Sequence, residues 1–142
     1  MPHERKVALL VDDDNEFISE LQESLALSGY IPVAASNGRE ALKAAREIRP
    51  DVILLDLKLG TENGFRIADK IRKDPATERI PIIMMSGHFN ELDHSKLLAP
   101  SAVNIYLNKP FSQKDVVLSI QTVLTDQTET SLNLMKRLLL DA

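Results

Sequence analysis

The chain contains no cysteine, which excludes disulfides, thiol catalysis and cysteine-ligated zinc and fits a reducing compartment. Tryptophan is also absent, and aromatic residues are only 4% of the total, so no aromatic-rich loop is available to sandwich a flavin ring. There is no excess of basic charge. A formal net charge of −4 offers nothing to the phosphate backbone of a nucleic acid, and no direct nucleic-acid partner is expected. No apolar run approaches a membrane span, and the opening Met1-Pro2-His3-Glu4-Arg5-Lys6 has no apolar signal core. A cytoplasmic location with no membrane partner is therefore expected. The P-loop glycine-lysine motif, the dinucleotide glycine fingerprint and the nucleophile elbow are all missing. His3, His88 and His94 are too scattered to form a metal cluster and are expected on the surface or in loops.

What is present is a set of short apolar runs, and four of them end in a residue able to handle phosphate or its metal. Val7-Ala8-Leu9-Leu10-Val11 ends in Asp12-Asp13-Asp14, and Val52-Ile53-Leu54-Leu55 ends in Asp56. Ile80-Pro81-Ile82-Ile83-Met84-Met85 ends in Ser86, and Val103-Asn104-Ile105-Tyr106-Leu107 leads to Lys109-Pro110. Continuous apolar runs of this kind are the pattern of parallel strands buried on both faces. In an open α/β sheet, ligands bind outside the carboxyl ends of the strands. The carboxylates, hydroxyl and ammonium are thus expected to converge on one sheet edge.

Amphipathic stretches lie between the runs. The first, about Asn15 to Ser28, places Phe17, Ile18, Leu21 and Leu25 on one face, with Asp14 or Asn15 as N-cap and Gly29 as the terminating glycine. A short strand, Ile31 to Ala35, precedes a helix from Gly38 to Ile48 whose inward face is Ala41, Leu42, Ala45 and Ile48. A loop with Gly60 and Gly64 leads to a third helix, about Phe65 to Lys73. A fourth, weak helix is expected over Glu91 to Leu98, and a fifth from about Ser112 to Leu124. Five β-α repeats with right-handed crossovers give an α/β fold, a doubly wound five-stranded parallel sheet with helices on both faces. Residues 5–124 form this domain. The polar stretch from Thr125 to Thr130 reads as a linker, and Ser131 to Ala142 as a short amphipathic helix. A helix under about 12–15 residues needs a surface to pack on. Leu132 to Leu140 is therefore expected to pack on the domain or on a twin in a homodimer.

Asp12, Asp13 and Asp56 set the chemistry. Two carboxylates about 4 Å apart repel by roughly 4 kcal/mol at an effective dielectric near 20. Three at one edge call for a cation, and oxygen ligands with room for water suit Mg²⁺, with Mn²⁺ as the alternative. Asp56, followed by Gly60 and Gly64, is open enough to act as nucleophile toward a phosphoryl group. Lys109 supplies an ammonium and Ser86 a hydroxyl donor, the charge stabilisation that phosphoryl transfer depends on. Each also has a plainer reading: helix caps for Asp12 and Asp13, a turn-initiating Asp56, a strand-end Ser86 and a solvated Lys109. Their joint placement at strand ends favours the chemical one.

This pattern resembles the receiver domain of two-component response regulators. Val11-Asp12-Asp13-Asp14 resembles the family's acidic pair, and Asp56-Leu57-Lys58-Leu59 with Gly64 its phosphoacceptor segment. Ser86-Gly87 resembles the switch hydroxyl and the small residue after it, and Tyr106-Leu107-Asn108-Lys109-Pro110-Phe111 the closing signature. The resemblance implies a flavodoxin-like (CheY-like) (βα)5 fold with strand order 2-1-3-4-5. It implies that Asp12, Asp13, Asp56 and the Lys58 backbone carbonyl hold Mg²⁺, and that Asp56 is phosphorylated by a histidine kinase or phosphotransfer protein. It further implies that Lys109 pairs with the acceptor and then the phosphoryl group, that Ser86 and Tyr106 switch together, and that Lys109–Pro110 is cis. Gly60 stands where the family usually has proline, and Pro100-Ser101-Ala102 departs from its usual small residue, glycine and alanine.

The competing expectations are a phosphorylation-independent interaction module on the same fold and a magnesium-dependent phosphohydrolase. The latter wants an acid/base Asp two residues after the nucleophile, where Lys58 stands. No effector domain fits within Thr125 to Ala142. Output is expected through a downstream protein partner or through an effector missing from this chain.

Overall fold

A computed structural model describes residues 4–87 and 102–128. Val7–Val11 (β1) leads through Asn15–Leu27 (α1) to Ile31–Ala35 (β2), and Gly38–Ile48 (α2) returns the chain to Val52–Asp56 (β3). Two short strands follow, Lys58–Leu59 (β4) and Glu62–Asn63 (β5), then Gly64–Lys73 (α3), Ile82–Ser86 (β6), Ile105–Asn108 (β7) and Gln113–Thr128 (α4). The main sheet is parallel, in the order β2-β1-β3-β6-β7, which among its five strands is the expected 2-1-3-4-5.

Strand alternation divides each apolar run between two cores. Leu9, Val11, Ile53, Leu55, Ile82 and Met84 face α2 and α3, while Ala8, Leu10, Val52, Leu54, Ile83 and Met85 face α1 and α4. Every residue of β3 and β6 is buried, the continuous pattern that parallel strands require. β2, at the sheet edge, is only partly covered, and there Pro32 is tolerated.

Local chemistry sets the helix ends. Asp14 caps α1, accepting from the Phe17 N–H at 3.1 Å. Gly29, at φ 94°, ends it: its N–H donates to the Ala26 carbonyl and the Tyr30 N–H to the Leu25 carbonyl, a Schellman pair. Asn37 caps α2, and Asn63 accepts from the Phe65 N–H at 2.8 Å at the start of α3.

Two expectations are corrected. Ile48 is exposed rather than inward, because α2 ends there and left-handed Arg49 turns the chain so that buried Pro50 enters β3. Residues 125–128 continue α4 instead of starting a linker, with the Thr125 hydroxyl donating back to the Gln121 carbonyl at 2.8 Å. The helix expected over 91–98, the segment 131–142, the three histidines and residues 100–101 lie outside the described residues.

Candidate functional site

The carboxyl ends of β1, β3, β6 and β7 lie side by side, and each delivers one polar group. Asp12, directly after β1, is 1% exposed; its Oδ1 accepts the Asp14 N–H at 3.0 Å. Asp56 is the last residue of β3, paired in register with Met85, and Ser86 is the last residue of β6, paired with Asn108. Ser86 is fully buried, and its carbonyl accepts the Lys109 N–H at 2.7 Å, which fixes where the lysine leaves β7. The Lys109–Pro110 peptide is cis.

Lys109 reaches back from the end of β7 to the end of β1. Its Nζ lies 2.6 Å from Asp12 Oδ2 and 3.6 Å from Asp56 Oδ1. Asp12, Asp13 and Asp56 each bring a carboxylate oxygen into one group, all within 4.8 Å of one another, with Asp13 on the exposed side. Three carboxylates against one ammonium leave two negative charges unbalanced. The strain registers at Asp56, whose pKa is pushed up to about 6. Burial is the main cause, followed by the Asp12 charge; Lys109 and the Lys58 N–H oppose the rise, and Asp13 adds a little to it. An oxygen-only donor set carrying this surplus charge fits a hard divalent cation such as Mg²⁺.

The backbone after Asp56 turns back over the pocket. The Lys58 N–H donates to Asp56 Oδ1 at 3.4 Å, and Lys58–Leu59 pairs antiparallel with Glu62–Asn63. Gly60 adopts φ 58° in the intervening turn, and a Cβ there would come within 3.8 Å of Asp13 Oδ2. Gly64 has no room for a side chain. A Cβ would press into the Asp56 carbonyl oxygen and stand 3.0 Å from Leu57 Cα. Glu62 reaches outward instead, accepting the Gly38 N–H at 3.0 Å, so the loop after Asp56 is tied to the start of α2.

Tyr106 lies in β7 with its ring 6.2 Å from that of Phe65. Its hydroxyl is enclosed and has no hydrogen-bond partner among the described residues, and burial raises its pKa.

Of the expected site residues, Asp12, Asp13, Asp56 and Lys109 meet at one sheet edge, Ser86 and Lys58 are placed there by their backbone positions, and Tyr106 lies in β7. Sequence reasoning missed three features. It read the β4–β5 hairpin as a plain loop, overlooked the Glu62 tie, and placed Phe17 only in the core. In fact the Phe17 ring lies under the Lys109 ammonium, 4.2 Å from Nζ to the ring centroid. An aromatic one helical turn after an acidic run was the available signal.

Known proteins share this fold. A family model for the response regulator receiver domain matches residues 8–121. The alkaline phosphatase synthesis transcriptional regulatory protein PhoP of Bacillus subtilis is 34% identical over 119 residues, 84% of this chain and 48% of that protein. The chemotaxis response regulator CheY4 of Vibrio cholerae superposes with a TM-score of 0.77 at 27% identity, over 85% of this chain and 100% of that one. The receiver domain of the sensor histidine kinase PA1611 from Pseudomonas aeruginosa, which has a magnesium ion coordinated in its active-site cleft, gives 0.76 at 27% identity, over 87% and 100%. The chain spans about half the length, or less, of the curated relatives it matches. No helix among the described residues is long and apolar enough to cross a membrane.

Proposed function

The chain belongs to the response regulator receiver family of two-component signalling, and from that premise we propose that Asp56 is its phosphoacceptor, served by Asp12, Asp13, Ser86 and Lys109. The observation that carries this is the gathering of the Asp12, Asp13 and Asp56 carboxylates within 4.8 Å of one another, with the Lys109 ammonium 3.6 Å from Asp56. Asp12, Asp13, Asp56 and the Lys58 carbonyl would hold Mg²⁺ or Mn²⁺. When bound, the ion offsets the surplus charge and draws electron density from the phosphoryl oxygens.

With its pKa at about 6, Asp56 is mostly the nucleophilic anion at neutral pH. One of its oxygens bonds to the phosphorus of a phosphohistidine as the P–N bond breaks. The electron pair stays on the imidazole nitrogen, which takes up a proton. Lys109 needs only a short swing from Asp12 to meet the incoming phosphoryl oxygens, and the Ser86 hydroxyl donates to them from the neighbouring strand end. Water later attacks the phosphorus, releasing inorganic phosphate and restoring the carboxylate. The role is that of a signalling acceptor, with self-phosphorylation from small donors and self-dephosphorylation as its only chemistry.

The phosphoryl group adds about −1.5 to −2 charges and three acceptor oxygens. Binding these better in one arrangement of Ser86, Tyr106 and β7 raises the population of that arrangement. The donor is a sensor histidine kinase or phosphotransfer protein, and the output is a protein partner or an effector domain. The receiver runs from residue 5 to the end of α4, and residues 129–142 follow it.

Incubation with acetyl phosphate and Mg²⁺ should add one phosphoryl mass to the intact protein, and Asp56→Asn should add none. Equal labelling of that variant overturns the assignment.

A further inference from the structure

We infer that Phe17 is a positioning residue for Lys109. Its ring face holds the ammonium over the pocket while the lysine changes partner from the Asp12 carboxylate to the phosphoryl group. The inference rests on the role of Lys109 proposed above.

Lys109 Nζ lies 2.6 Å from Asp12 Oδ2, 3.6 Å from Asp56 Oδ1 and 4.2 Å from the centroid of the Phe17 ring. Together these groups leave the lysine side chain 22% exposed. Phe17 is itself held at its backbone and at its ring. The Phe17 N–H is bound by the Asp14 cap at 3.1 Å, and the ring stands edge-on to Phe111 at 5.8 Å and 84°. Phe111 lies two residues beyond Lys109. The support and the cation it supports therefore belong to one packed unit joining the start of α1 to the loop after β7.

A hydrogen bond to Asp12 must be broken before the ammonium can serve a phosphoryl oxygen. Attraction to the negative face of an aromatic ring is far less directional, and it persists as the cation slides across that face. Phe17 thus keeps the ammonium over the pocket during the exchange of partners. For packing on the apolar face of α1, a leucine would serve as well as a phenylalanine. The distance from ring to Nζ separates the two roles.

The test uses the full chain. In metal-free protein, NMR should show the Lys109 ε-methylene protons shifted upfield by the ring current; the shift should vanish in Phe17→Leu and persist in Phe17→Tyr. Labelling by acetyl phosphate at saturating Mg²⁺ should slow by about three- to tenfold in Phe17→Leu and recover most of that loss in Phe17→Tyr. Rates are compared at a temperature where all variants keep the wild-type far-ultraviolet circular dichroism. In a Lys109→Met background, Phe17→Leu should cost nothing further. Absence of the upfield shift in the wild type overturns the inference. So does a wild-type rate in Phe17→Leu, an equal loss in Phe17→Tyr, or a loss that survives in the Lys109→Met background. A wild-type rate in Lys109→Met alone would strike instead at the proposed role of the lysine, and the inference would fall with it.

Discussion

Asp56→Asn should make the metal-free protein more stable at neutral and alkaline pH while abolishing phosphorylation. Asparagine keeps the shape of the side chain and deletes the charge that its surroundings oppose most. The carboxyl pKa stands at about 6 against an ordinary 3.8, chiefly through burial and the Asp12 charge. A shift of about two units corresponds to an upper bound near 3 kcal/mol, and water on the open Asp13 side reduces it to about 1–2 kcal/mol. For a chain of this size that is roughly 3–8 °C in melting temperature. The sign follows from proton linkage. Because the folded pKa is raised, the native state holds a proton between about pH 4 and pH 6 that the unfolded chain has released. Wild-type stability therefore falls as pH rises through that window and levels off above it, whereas the asparagine variant lacks this dependence. The gap between them should be near zero below about pH 4 and full above about pH 6. Thermal melts followed by far-ultraviolet circular dichroism, with chelator present, measure it. Adding Mg²⁺ should narrow the gap, since a ligand that binds only the native state adds about 2.7 kcal/mol at a hundred times its Kd, and the wild type binds it better. A variant no more stable than wild type at about pH 8 in chelator, or one whose advantage persists unchanged at about pH 4, would refute the reasoning.

The same proton competes with the cation. The apparent Mg²⁺ affinity should fall by up to about tenfold per pH unit below about pH 6 and be level above it, and titration calorimetry giving equal affinities at about pH 5 and pH 7 would contradict this. Gly64→Ala should lower the melting temperature through overpacking of about 1–3 kcal/mol, because its Cβ meets the backbone of Asp56 and Leu57 rather than a movable side chain. It should also slow acetyl phosphate labelling by displacing the acceptor; unchanged melting and labelling would show that the loop yields freely.

Much of this arrangement was legible because parallel strands are unusually plain in sequence. β3 and β6 read as unbroken apolar runs since both faces are buried, and the polar residue after each run has to stand at the same sheet edge. The cap at Asp14 and the turn at Gly29 were legible for an equally local reason: one residue satisfies or redirects one helix end. Contacts made across the fold were not. Glu62 reads as a solvated charge until the hairpin turns it toward the Gly38 N–H. Ile48 completes a helical apolar stripe, yet the helix stops before that residue reaches cover. The cation under which Phe17 lies comes from a residue 92 positions later, so helical periodicity could rank it only as core.

The position of Lys109 also bears on how a receiver of this sequence can switch. The ammonium is closer to Asp12 than to Asp56, so in this state it neutralises the fully buried carboxylate first and leaves the acceptor only partly compensated. Burial and the Asp12 charge raise the Asp56 pKa, and Lys109 at this distance offsets them only in part. A phosphoryl group on Asp56 would bring more negative charge than the carboxylate it replaces, and the balance between the two partners of Lys109 would then tip toward the acceptor side. Movement of the lysine loosens its hold on Asp12, which stands beside the N-cap of α1, and its backbone N–H is bonded to the Ser86 carbonyl. A single change of partner thus acts on β1, β6 and β7 together.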